Sequence, residues 1–334
     1  MTEFVDPHLH VWDTVNSIAF GGKDGKEAAP VHDAAILGPP AQLHPTYSHA
    51  DHMADMEASG HVSLKAAVHV EAIPSDGLKE AIWAVKHLSD AAVPFAIVAR
   101  VDLSSEHAEQ ALQQLMSKAN AQVQQYRPVL VRGIRMILNF EPTWPKVPRG
   151  DLLTDRTFQR NYGTLAKHNL SFDLQANPHQ LLDAAALAAK VPAVPLIVNH
   201  MGCLKLPCER ATEAAVQASA DAQAAIALWR KGMQALADAG DHVYVKISML
   251  CYTDPNWDSL DESVVPSLVK EVLAMFGTSR CMFASNYPVD KSDGWSPARL
   301  FAGFAALCDK LQLSDSDRRN LYVSAATAAY RLSM

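Results

Sequence analysis

Short apolar runs recur along the chain, separated by stretches in which apolar residues return every third or fourth position. The runs are FVDPHLH from Phe4, LKAAVHVEA from Leu64, PFAIVARVD from Pro94 and VLVRGIRMIL from Val129. They continue with LSFDLQA from Leu170, VPLIVNHMG from Val194, HVYVKIS from His242 and RCMFASNYP from Arg280. Each has the length and β-branched content of a buried strand. The intervening segments 76–90, 104–124, 156–168, 178–190, 212–239, 263–276, 296–311 and 314–331 read as amphipathic helices, several of them Ala-rich. Asp76, Ser263 and Ser314 are N-cap residue types. Eight strands alternating with helices imply parallel pairing through right-handed crossovers, and in this length a closed, somewhat distorted (β/α)8 TIM barrel forming a single domain over residues 1–334. An open doubly wound sheet is disfavoured, because no Gly-rich phosphate loop follows the first strand. The longest connection, residues 13–60, holds one short helix near 48–59 and is otherwise Pro/Gly-rich loop. At a barrel mouth such a β1–α1 loop reads as a lid.

Composition narrows the classes of partner. The chain of 334 residues is 49% hydrophobic and 19% charged, with net charge −7 from 29 basic and 36 acidic residues. That is globular composition, and no Lys/Arg cluster offers a nucleic-acid footprint. No apolar run reaches the length of a membrane span. Asp6 stands where a signal peptide needs its apolar region, so no export signal is expected. The five cysteines, Cys203, Cys208, Cys251, Cys281 and Cys308, are odd in number and scattered. We read them as reduced thiols of a cytoplasmic protein.

The chemistry concentrates at the strand ends. His8 and His10 stand one residue apart in the first run, with Asp6 before and Asp13 after. Chance placement of 14 histidines in 334 residues gives roughly 0.6 His-x-His pairs, so the pair alone is weak. On a strand, however, the two share a face about 6.6 Å apart and can converge on one ion. The other runs end in His69 and Glu71, Arg100, Arg132 and Arg135, Asp173 and Gln175, His200, Lys246 and Ser248, and Asn286. Parity agrees in places: Val243, Val245 and Ile247 oppose Tyr244, Lys246 and Ser248, while Phe172 and Leu174 oppose Asp173 and Gln175. The polar face would line the barrel mouth, where such folds carry their active sites. A charge inside a strand is costly unless paired or used. Lys246 and Arg135 are therefore either binders of a carboxylate or oxyanion, or internal ion pairs with Asp173 or Glu71. His44, His49, His52, His168 and His179 are expected to be solvated, and Trp12 and Trp229 to be packing residues.

The ordered series VDPHLHVWD, AAVHVEA, VRGIRMILN, FDLQANPHQ, VNHMG, ALWRKGMQALA, VYVKIS and RCMFASNYPVD resembles the amidohydrolase-2 family. More narrowly it resembles the lactonase-like branch, with the 2-pyrone-4,6-dicarboxylate and sugar-acid lactonases. The resemblance spans nearly the whole chain. It implies a (β/α)8 barrel and hydrolysis of a lactone or related ester in a small, carboxylate-bearing catabolic intermediate. By position, His8, His10 and His200 match the family's site histidines. Some members bind one divalent ion there and others work with none, the strand-six histidine then polarising the carbonyl. Zinc is the metal this implies, held weakly or in part, with no organic cofactor. The chain departs from the family at strand eight, where the usual aspartate is Asn286, and an amide is neither a general base nor a good metal ligand. The expected catalytic residues are His200, Asn286, Glu71 and Asp290, with Glu71, Asp173 or Asp290 as the base if no metal serves. The expected substrate contacts are His69, Arg100, Arg132, Arg135, Asp173, Gln175, Lys246 and Ser248. A metal-dependent decarboxylase and a non-catalytic binding homologue are the rival readings, and a homodimer is left open.

Overall fold

In the computed structural model, which describes residues 1–14, 45–123, 129–142, 147 and 149–333, eight strands form one parallel sheet in sequential order. We number them β1 (Thr2–Leu9), β2 (Val62–Val70), β3 (Phe95–Arg100), β4 (Leu130–Ile137), β5 (Ser171–Gln175), β6 (Leu196–Val198), β7 (Val243–Ile247) and β8 (Cys281–Phe283). The sheet curls until β8 meets β1. At the seam Asn286 N donates to His8 O at 2.8 Å and His10 N to Tyr287 O at 2.7 Å, with a parallel bridge between Leu9 and Tyr287. The architecture is the expected (β/α)8 barrel.

Local chemistry starts most helices where the sequence suggests. Asp76 caps Gly77–Leu88 by accepting from Lys79 N, and Ser314 makes a capping box with Asp317. Ser263 is displaced by one residue: Val264 is the cap, and Ser263 Oγ accepts from Val265 N instead. The long segment 212–239 is two helices, Glu213–Ala218 and Ala220–Asp238, because Ser219 adopts an extended backbone and caps the second through Ala222 N. The short helix after the long connection is His49–Ala58, closed by a Ser48–Asp51 capping box. Most of that connection lies outside the described residues, including the expected lid. Its two ends pair antiparallel, Trp12 with Tyr47 and Asp13 with Thr46.

Outside the strands the core is apolar. Phe4 and Phe283 meet Phe301 and Phe304 of the helix Pro297–Lys310, with ring centroids 5.0 and 4.3 Å apart. Inside the barrel the filling is polar: Asp6, His8, Arg135, Asp173 and Lys246 are all buried. All five cysteines are unpaired. Among the described residues no helix is long and apolar enough to cross a membrane.

Candidate active site

A small pocket, with about 20 Å³ of free interior volume, opens at the C-terminal ends of the strands. Its polar wall is His10, Arg135, Gln175, His200 and Asn286. Its apolar wall is Trp12, Ala72, Ile73, Ile137, Met249 and Val289. Four of these residues take left-handed backbone conformations just past a strand: Ile73 (φ 54°), His200 (φ 54°), Met249 (φ 51°) and Asn286 (φ 56°). That conformation is uncommon for non-glycine residues and is an outlier for a β-branched one such as Ile73. Strain of this kind persists where the surroundings over-determine it, often at functional sites.

His8, His10 and His200 come together. The His8 ring lies 5.0 Å from that of His10 and 4.7 Å from that of His200, centroid to centroid. A register irregularity between β1 and β2 falls between Asp6 and Leu9, the stretch that carries His8. His10 Nδ1 lies 2.8 Å from Val70 O. A carbonyl only accepts, so Nδ1 carries the proton and Nε2 keeps its lone pair. His200 Nδ1 lies 2.9 Å from Ser248 Oγ. Burial, then the Arg135 charge, pushes both imidazoles well below the ordinary histidine range, so both are neutral near pH 7.

Beneath the histidines sit two buried ion pairs. Arg135 Nε donates to Glu71 Oε1 at 2.8 Å and NH1 to Gln175 Oε1 at 2.9 Å, while NH2 donates to Glu71 O. Lys246 Nζ lies 2.5 Å from Asp173 Oδ2 and 3.1 Å from His8 Nδ1. Tyr330 OH donates to the same Asp173 carboxylate at 2.8 Å. Burial pulls Lys246 down to about 8, against the opposing pull of Asp173.

These contacts revise several sequence expectations. Glu71 and Asp173 are ion-pair partners, with Glu71 also accepting from Ile73 N, and neither lines the pocket as a free base. Lys246 touches His8 and Asp173 and does not line the pocket. His69 is structural in its contacts: Nδ1 accepts from Val11 N at 3.1 Å, fixing the end of β1, and burial holds the ring down at about 3. Arg100, half-buried at the end of β3, is not on the pocket wall. Arg132 is on the wrong end of the barrel. It is the extra residue where β4 slips against β3, and it lines a separate cavity with Arg331 and Leu332 at the N-terminal face. Asn286 does line the pocket, and its Nδ2 donates to Asp290 Oδ1 at 2.7 Å. Asp290 lies behind it, pushed well above the usual carboxylate range by burial. His52 is fully buried rather than solvated, with Nε2 3.3 Å from Asp6 Oδ2.

The divalent ion implied by the resemblance meets a mixed donor set. His10 and His200 are each anchored through Nδ1, as metal ligands are when the other nitrogen faces the ion. His8, however, has Lys246 Nζ at 3.1 Å on one ring nitrogen and Arg135 NH1 at 3.5 Å from the other. Two cations at the third imidazole oppose a second positive centre, and the strand-eight amide brings no charge to offset them. Among the described residues, no group of three or more His, Cys, Asp or Glu is placed to hold a metal ion. In this arrangement the residues do not fit a resident divalent ion.

Trp12, expected to be a packing residue, lines the pocket and stacks on His10 at 6.3 Å and 19°, a placement that the i, i+2 spacing from His10 agrees with. Tyr330 reaches Asp173 from the other end of the chain, and no local pattern announces that.

The family model described as amidohydrolase matches residues 5–332. A Sinorhizobium fredii (strain NBRC 101917 / NGR234) protein, y4mH, is 29% identical over 337 residues, covering 98% of each chain. An amidohydrolase from Burkholderia multivorans with bound HEPES superposes with TM-score 0.72 at 22% identity, over 99% of this chain and 100% of that one. A second crystal form of that protein carries zinc. A Pseudomonas putida protein assigned as a 2-pyrone-4,6-dicarboxylic acid hydrolase superposes with TM-score 0.64 at 16% identity, over 99% and 98% of the two chains. At these identities the structural likenesses establish the fold.

Proposed function

Because the chain belongs to the amidohydrolase family, we propose that it is a hydrolase that opens a lactone or related ester bond of a small molecule. The observation that carries this reading is the convergence, on one pocket, of a neutral imidazole with a lone pair on Nε2, a second imidazole and a guanidinium. The substrate carbonyl oxygen faces His200 Nε2 and Arg135. Negative charge developing on that oxygen is met by the guanidinium that Glu71 and Gln175 hold in place. His10 Nε2 takes a proton from the attacking water, whose oxygen bonds to the acyl carbon. The tetrahedral centre then collapses, the ring C–O bond breaks, and the leaving oxygen receives the proton held on His10. Ser248 and the Val70 carbonyl hold the two imidazoles in orientation. A metal is not needed for these steps. We expect the purified protein to hold well under one zinc per chain.

The test is a panel of γ- and δ-lactones assayed with wild-type protein and with His10→Asn. The variant keeps a side-chain donor for Val70 O but loses the proton acceptor. Opening of at least one lactone by the wild type, with kcat about 10²-fold or more lower in the variant, is the expected result. Carbon dioxide release from an aromatic acid with no ester opening would replace this reading with a lyase. Full zinc occupancy would return the histidines to metal binding.

A further inference from the structure

We infer that the part of the substrate held in this pocket is uncharged and largely apolar: a lactone bearing an alkyl or aryl group there, rather than a carboxylate. The inference rests on the hydrolase reading for the ester, but the polarity of the pocket is argued separately.

The sequence suggested a carboxylate because four basic residues stand near strand ends. The structure disperses them. Arg132 lies at the opposite face, Lys246 is sealed against Asp173, and Arg100 is off the pocket wall. Among the described residues Arg135 remains on the wall, and it is already committed. Glu71 neutralises its charge, and Glu71, Gln175 and His8 face most of its N–H donors. A carboxylate is best held by two parallel N–H donors of one guanidinium. What is left on Arg135 suits a single carbonyl oxygen. A carboxyl group behind the wall, Asp290, accepts from Asn286 Nδ2 and would repel an anion if it ionised.

Beside that polar side, the wall formed by the described residues is hydrocarbon and sulfur: Trp12, Ala72, Ile73, Ile137, Met249 and Val289. A carboxylate placed against these side chains would lose its hydration without gaining a partner, which is strongly unfavourable. An alkyl or aryl group placed there gains by leaving water.

Two measurements test this. The first compares binding, by calorimetry, of two cyclic ketones that cannot be hydrolysed: one with a short alkyl chain, the other with the same chain ending in a carboxylate. The neutral ketone is expected to bind at least about tenfold tighter, roughly 1.4 kcal/mol. Equal binding, tighter binding of the carboxylate, or no binding of either would overturn the inference. The second uses Ile137→Lys, which adds a cation to the pocket wall and should reverse the preference. An unreversed preference in a folded variant would show that the wall does not select for charge. Hydrolysis of the matching lactones is followed in parallel. If neither lactone opens while the neutral ketone still binds preferentially, the hydrolase reading fails and the pocket assignment stands.

Discussion

Burial first, and the Arg135 charge second, hold His10 well below the ordinary histidine value of 6.5. A base whose pKa is lowered stays able to accept a proton further into acid. The acid limb of kcat/KM is therefore expected to lie below pH 6.5, and a pH–rate profile whose limb is centred at or above 6.5 would remove His10 from that role. The same shifts bear on stability with a definite sign. His8, His10, His69 and His200 are neutral when folded, with pKa values lowered by burial. The unfolded chain takes up a proton at each below about pH 6.5, so each group removes stability as pH falls, by about 1.4 kcal/mol per pH unit. Asp290 and Glu80 act in the opposite sense, because burial raises them and the fold retains protons that the unfolded chain releases. The histidines are more numerous. The urea midpoint at pH 5.5 is expected to lie clearly below that at pH 7.5, and a flat or rising profile would contradict the assigned neutral histidines.

Among the elements, the closing helix Ala325–Tyr330 sets the most consequential contact. It places the Tyr330 hydroxyl against Asp173, which in turn holds Lys246 beneath His8. Tyr330→Phe keeps the ring and removes the donor. A hydrogen bond to a charged group is worth about 1.5–3 kcal/mol, so urea denaturation should show a loss of that size. Unchanged stability would show that water replaces the hydroxyl at no cost. The irregularity in β4 matters in a different way. A strand's parity is readable only while its register is uninterrupted, and the extra residue at Arg132 breaks it. Arg132 and Arg135 are the third and sixth residues of β4, and they line cavities at opposite ends of the barrel.

At the scale of the whole molecule, the barrel is closed by backbone bonds around one buried carboxylate. Asp6 on β1 accepts from His8 N, Ser285 N and Ser285 Oγ, joining the first strand to the segment after the last. The seam it stabilises also positions His8 and Asn286. Asp6→Ala leaves those donors buried without a partner, at a cost on the order of 3 kcal/mol or more. We expect a lowered melting temperature and a parallel loss of any catalytic turnover. A variant with wild-type stability would show that the backbone ladder alone holds the seam.

Periodicity alone determined the eight strands, their parallel pairing and the placement of His8, His10 and His200 at strand ends, because burial on a strand or helix repeats along the chain and leaves a local trace. The caps at Asp76 and Ser314 were readable for the same reason, each acting within one turn. Which charges reach the pocket left no such trace. Lys246 meets Asp173 across 73 positions, Arg135 meets Glu71 across 64, and Tyr330 meets Asp173 across 157. Those pairings follow from how neighbouring strands stagger and where the last helix docks. Only the closed barrel brings the partners within hydrogen-bond reach, and so only the tertiary structure decided that Arg135 and Lys246 neutralise internal carboxylates.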